Sequence, residues 1–137
     1  MNAELKASSP AQQNVANPDW LEIVKEYEAG GAAAVSVLTD ESYFCGSLDL
    51  LEQVSERTML PRLHKEFILG EYQLREGRLR GASAALILVS YFSEKELHEI
   101  YEKEFCLSPI PSLTMHATNV NSVYGIPPNY DWKKNWE

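Results

Sequence analysis

A parallel α/β fold is predicted by three features of this chain. Apolar segments with no polar face alternate with amphipathic ones, the connections are short, and capping residues mark the junctions. Strands covered on both sides read as unbroken apolar runs, as Ala32 to Thr39 and Ala82 to Val89 do. The order strand then helix, four times over, calls for right-handed βαβ units in a parallel sheet.

Each element has its own signal. Glu4-Leu5-Lys6 lies where a first strand gives way to a loop. Asn17-Pro18 offers an N-cap and a proline at the first helical position, Leu21, Val24 and Tyr27 recur on one face, and Gly30-Gly31 closes a helix of about three turns. The run from Ala32 is the second strand, and Asp40 to Gly46 reads as a loop. Ser47 caps a second helix carrying Leu48, Leu51 and Val54. Met59 to Lys65 is extended, with Pro61 at the strand's beginning because proline cannot donate within a ladder. A third helix runs from about Glu71 to Arg80 and stops at Gly81, ahead of the fourth strand. Ser93 and Glu96 have capping-box spacing for a fourth helix with Leu97, Ile100 and Tyr101 inward.

Composition narrows the function classes. Twenty acidic against twelve basic residues give a formal charge of -8, a field that repels phosphate backbones and anionic lipid, so nucleic acid is not an expected partner. The longest apolar run, Ala84 to Val89, is far below the ~20 residues that span a bilayer, and the opening Met-Asn-Ala-Glu-Leu-Lys has no apolar signal core. The expectation is a soluble, cytoplasmic protein with no membrane partner. Cys45 and Cys106 form no CxxC pair, which indicates neither a disulfide framework nor a zinc site.

Two charged clusters, Glu4-Leu5-Lys6 and His64-Lys65-Glu66-Phe67, sit at strand ends. Because strand side chains alternate faces, Glu4 and Lys6 point one way, and Leu63, Lys65 and Phe67 share a face of their strand. On parallel neighbours, one carboxylate and two ammonium groups converge at the carboxyl edge, where such folds bind ligands; Ser9, Thr39 and Ser90 also lie at that edge. His64 points to the opposite face and reads as a helix-packing residue, while His98 and His116 show no partner spacing. The residues alone leave plainer readings open. Glu4 and Lys6 suit a same-face ion pair worth ~0–1 kcal/mol, Lys65 a snorkelling lysine, Phe44 a lid on the core and Ser9 a turn serine.

The stretches YEAGGAAAVSVLTDESYFCGS at 27–47, AELKASSP at 3–10 and PRLHKEFILGEYQLREGRLRGASAALIL at 61–88 together resemble indole-3-glycerol-phosphate synthase of tryptophan biosynthesis, over about residues 3–105. The resemblance implies a TIM (β/α)8-barrel lyase. A complete barrel takes roughly 250 residues, so 137 imply an incomplete one: about four βα units within 1–116, then an irregular tail over 117–137. It further implies closure of the pyrrole ring of 1-(2-carboxyphenylamino)-1-deoxyribulose 5-phosphate with loss of carbon dioxide and water, on a small-molecule sugar phosphate, with no metal or organic cofactor. By the same resemblance Lys65 matches the general acid that protonates the substrate carbonyl oxygen. Lys6 matches a lysine near the substrate carboxylate, and Glu4 a glutamate that orients both lysines. Ser9 matches a phosphate-binding serine and Phe44 the aromatic beside the anthranilate ring.

The sequence also departs from that pattern. Pro10 leads to Ala11-Gln12-Gln13 where the family has a small or basic residue and glycine. Arg62 stands at an apolar, helix-facing position and must reach solvent or a carboxylate. Thr114, within Ser112-Leu113-Thr114-Met115-His116, replaces a general-base glutamate, and a hydroxyl does not titrate near neutrality. Beyond His116 the tail, with Pro127-Pro128 and spaced Tyr130, Trp132 and Trp136, has no family motif. Two functions are therefore expected to compete: a synthase weak or inactive as this isolated chain, and a non-catalytic half-barrel remnant acting as an interaction module. Open strand edges favour self-association or a complementing chain.

Overall fold

Short extended segments separated by amphipathic ones become five parallel strands in the computed structural model, which describes residues 2–6, 18–107 and 115–117. They are β1 (Asn2–Leu5), β2 (Ala34–Leu38), β3 (Arg62–Lys65), β4 (Ala84–Leu88) and β5 (Met115–Ala117), laid side by side in chain order. Each neighbouring pair is parallel, as the βα alternation requires. Strands β2 and β4 are buried almost without interruption, which is why they carry no polar face. The architecture is that of a partial (β/α)8 barrel, and β5 ends at Ala117, the first residue of the expected tail.

Local chemistry places the helices α1 (Trp20–Ala29), α2 (Glu41–Phe44), α3 (Leu48–Arg57), α4 (Glu71–Leu79) and α5 (Glu94–Leu107). The cap of α1 is Asp19, whose carboxylate accepts from Leu21 N and Glu22 N, rather than Asn17. The expected loop after β2 holds the single turn α2, because Asp40 accepts from Tyr43 N at 2.6 Å and Phe44 N at 3.3 Å. Ser47 does cap α3, accepting from Leu50 N at 3.1 Å. The Ser93 and Glu96 capping box also forms, Ser93 N donating to the Glu96 carboxylate at 2.8 Å. Leu97 and Ile100 of α5 are buried as expected; the side chain of Tyr101 lies outside the described residues.

Alternation sorts the strand side chains into two layers. One face packs Leu5, Val35 and Val37 against Val24, Leu51 and Val54 of α1 and α3. Further along, Ile87 packs with Ile68, Leu74, Leu97 and Ile100 against α4 and α5. The opposite face joins Leu63, Leu86 and Leu88 with Phe67. At ~1.5–3 kcal/mol per buried aliphatic side chain, the helix-facing layer is the main source of stability and fixes the register of the strands. Among the described residues, no helix is long and apolar enough to cross a membrane.

Arg62 is partly exposed, and its guanidinium takes backbone rather than a carboxylate as its partner. It donates to the carbonyls of Gly81 at 2.8 Å, Leu60 at 2.7 Å and Thr58 at 3.1 Å. Backbone at the exits of α3 and α4 thereby satisfies the charge. Burial, reinforced by Arg78, holds this guanidinium below its ordinary pKa.

Candidate active site

Glu4 and Lys6 at the end of β1, and Lys65 at the end of β3, line one open pocket of about 180 Å³ on the inner face of the sheet. Its floor is apolar, from Leu38, Leu86 and Leu88, and Phe44 and Phe67 form an aromatic wall. The period of two that set Glu4 beside Lys6 and Lys65 beside Phe67 thus delivers all four to one cavity.

Within the pocket the ion pair is not the local one between Glu4 and Lys6. The Lys65 ammonium donates to the Glu4 carboxylate, across the width of β2. Glu4 pairs with Ser36, and Ser36 with Leu63, two residues before Lys65, so the two side chains start two strands apart and offset along the sheet. Only long side chains close a gap of roughly 10 Å between strand axes. Side-chain exposures of 25% for Lys65 and 39% for Glu4 leave both groups reachable from solvent. Lys6 places its ammonium 5.9 Å from the centroid of the Phe44 ring, within the range of a cation–π contact.

The aromatic wall is a stack. Phe44 and Phe67 lie with centroids 6.3 Å apart and planes at 30°, and Tyr43 meets Phe67 edge-on at 6.1 Å. Phe44 is therefore both a wall of the pocket and a packing residue. The αL backbone of Cys45, with φ of 52°, turns the chain from α2 toward Gly46. A Cβ at Gly46 would lie 2.6 Å from the carbonyl carbon of Leu38, so only glycine lets this loop close over the end of β2.

Two further carboxylates border the pocket, and both are tied down. Asp40 caps α2. Glu66 accepts from the hydroxyl of Thr39 at 2.7 Å through Oε2 and from Phe67 N at 2.9 Å through Oε1. Beneath them His64, 2% exposed, lies 2.9 Å from Thr39 Oγ1 through Nε2. Burial lowers the His64 pKa to about 4, so the ring is neutral at physiological pH. It packs on α4 at Gly77, as its face predicts, and a Cβ there would come within 2.9 Å of the ring carbons.

Of the expected site residues, Glu4, Lys6, Lys65 and Phe44 come together here, while Ser9 lies outside the described residues, as do Pro10 and Thr114. Phe67, Asp40 and Glu66 are pocket residues that sequence reasoning did not assign a role. Phe67 had a signal, since it shares a face with Lys65. Asp40, three residues before Tyr43, had the signal of a helix cap. Nothing local could have paired Glu66 with Thr39, 27 residues away. Among the described residues, no group of three or more His, Cys, Asp and Glu is placed to hold a metal ion.

An apolar floor, an aromatic wall and two ammonium groups suit a flat aromatic ring bearing anionic substituents, with a proton donor at its edge. Comparison with known proteins places the chain in a family. The family profile described as indole-3-glycerol phosphate synthase matches residues 1–107. The indole-3-glycerol phosphate synthase of Aquifex aeolicus is 43% identical over 110 residues, covering 79% of this chain and 43% of that protein. That of Rhodopirellula baltica is 45% identical over 102 residues, covering 74% and 39%, and that of Leifsonia xyli 39% identical over 118 residues, covering 85% and 45%. The chain thus spans about two fifths of the length of the curated relatives it matches.

Proposed function

Because the chain belongs to the indole-3-glycerol phosphate synthase family, we propose that the Glu4, Lys6 and Lys65 pocket is part of the active site of that lyase and acts on 1-(2-carboxyphenylamino)-1-deoxyribulose 5-phosphate. The observation that carries this reading is the convergence of two ammonium groups, one carboxylate and an aromatic wall on one cavity.

In this reading the substrate's aromatic ring lies against Phe44 and Phe67. Lys65 donates a proton to the carbonyl oxygen as the ring carbon attacks, so the new carbon–carbon bond forms without a free alkoxide. Lys6 faces the carboxylate that leaves as carbon dioxide, whose bonding electron pair returns aromaticity to the ring. Loss of water then completes the pyrrole. Glu4 holds Lys65 in position before substrate arrives and supplies a carboxylate to share the proton. An ammonium that bound the departing carboxylate too tightly would oppose its loss, and the neighbouring cation–π contact gives Lys6 a second partner. Ser9 is assigned to the substrate phosphate by family resemblance. With Thr114 in place of a general base, slow turnover is expected of this chain alone.

A second reading, a non-catalytic half-barrel that binds another chain, is favoured by the sheet order, in which β1 and β5 are the outer strands among the described residues. The two are separated by a steady-state assay that follows indoleglycerol phosphate fluorescence. Turnover removed by Lys65→Met supports the lyase. No turnover, together with a stable dimer in size-exclusion chromatography, supports the module.

A further inference from the structure

Three carboxylates border the pocket, yet one alone holds Lys65. Asp40 is committed to the α2 backbone. Glu66, next to Lys65 in sequence and lining the same cavity, has both oxygens occupied, by the Thr39 hydroxyl and by Phe67 N. Thr39 has one proton, and a carboxylate can only accept, so the hydroxyl donates to Glu66 and accepts in turn from His64. That order fixes His64 as the neutral Nε2–H tautomer and leaves its Nδ1 as a bare acceptor packed on Gly77, without a partner among the described residues. Thr39 and His64 are 3% and 2% exposed, so water does not compete for these bonds.

We propose that Thr39 and His64 are positioning residues that select the partner of Lys65: by fixing Glu66 from below, they withhold its carboxylate and leave the ammonium to Glu4. Were the Thr39 hydroxyl absent, Glu66 Oε2 would lose its donor, and the cations that line the same cavity are Lys65 and Lys6. A Lys65 drawn toward Glu66 would leave the side of the pocket that Glu4 occupies. The hydrogen-bond order stands on geometry alone; its meaning for proton donation rests on the lyase reading.

The test uses no substrate, so it stands or falls apart from that reading. In the full chain labelled with 15N and 13C, long-range proton–nitrogen spectra report the His64 tautomer, and scalar coupling across the hydrogen bond identifies the carboxyl carbon that accepts from Lys65 Nζ. The wild-type protein is expected to show the Nε2–H tautomer and coupling to Glu4. Thr39→Val is expected to weaken the Glu4 coupling at least twofold and to bring up a coupling to Glu66, and Thr39→Ser to restore the wild-type pattern. An Nδ1–H tautomer in the wild type overturns the proposal, as does an unchanged Glu4 coupling in a folded Thr39→Val. If Thr39→Val does not fold, the wild-type tautomer decides, Nε2–H supporting the proposal and Nδ1–H ending it.

Discussion

The Lys65 ammonium at the end of β3 donates to the Glu4 carboxylate at the end of β1, across the intervening strand β2. The pair is partly exposed, so its contribution to stability is small, ~1 kcal/mol or less. Its use lies in aim. Glu4→Gln keeps the side chain's shape but removes the charge that draws the ammonium inward. The variant is expected to unfold within about 1 kcal/mol of the wild type in urea, while any turnover of the chain falls by about tenfold or more. Equal turnover in the two proteins would remove Glu4 from the mechanism.

Gly77 and His64 form a second, purely steric pair. In most helices Gly→Ala stabilises by ~1 kcal/mol. Here a Cβ would press on the His64 ring, at 2.8 Å from Cε1. Gly77→Ala is therefore expected to destabilise by about 1–3 kcal/mol in urea unfolding. In a His64→Ala background the same change should be neutral or favourable. Additive effects of the two substitutions would show that the ring and the helix do not touch.

Burial of neutral His64 makes stability depend on pH. Its pKa falls from the ordinary 6.5 to about 4 on folding. Between those values the unfolded chain binds more protons than the folded one, so stability is full above about pH 6.5 and is lost as the pH drops toward 4. The loss attributable to this residue reaches about 3 kcal/mol by pH 4, at about 1.4 kcal/mol for each pH unit. Urea unfolding of wild type and His64→Gln at pH 7 and pH 4.5 measures it, and the variant should show the shallower decline. Parallel declines would mean that His64 titrates normally in the folded state.

Arg62 ties together the exits of α3 and α4 through the carbonyls of Thr58, Leu60 and Gly81. Arg62→Met leaves those carbonyls without their charged donor and is expected to lower stability by about 2–4 kcal/mol. Arg62→Lys should recover less than half of that, because an ammonium on a single stem does not reproduce the planar fork. Thermal unfolding of the three proteins gives the comparison, and full rescue by lysine would show that charge alone is needed.

Much of this architecture is legible in the residues because it is decided locally. Ser47, and Ser93 with Glu96, cap helices through bonds spanning three residues, and the period of two in β1 and β3 is enough to put Glu4, Lys6 and Lys65 on one face. What could not be read depends on partners far along the chain. Glu4 takes Lys65, 61 residues away, rather than its strand neighbour Lys6, because β2 brings the two ends within reach. Arg62 finds carbonyls rather than a carboxylate because two helix exits converge above it. The cap of α1 moved from Asn17 to Asp19 through a choice between two good capping residues that spacing does not settle.

In the proposed function, Lys6 and Lys65 share one pocket that receives an anionic aromatic sugar phosphate. Titration calorimetry of indole-3-glycerol phosphate into the chain, for wild type, Lys6→Met and Lys65→Met, tests it most directly. Saturable binding at one site per chain is expected, weakened about tenfold or more by either substitution, as when a charge-assisted contact worth ~1.5–3 kcal/mol is lost. Binding of equal strength in all three proteins would contradict it.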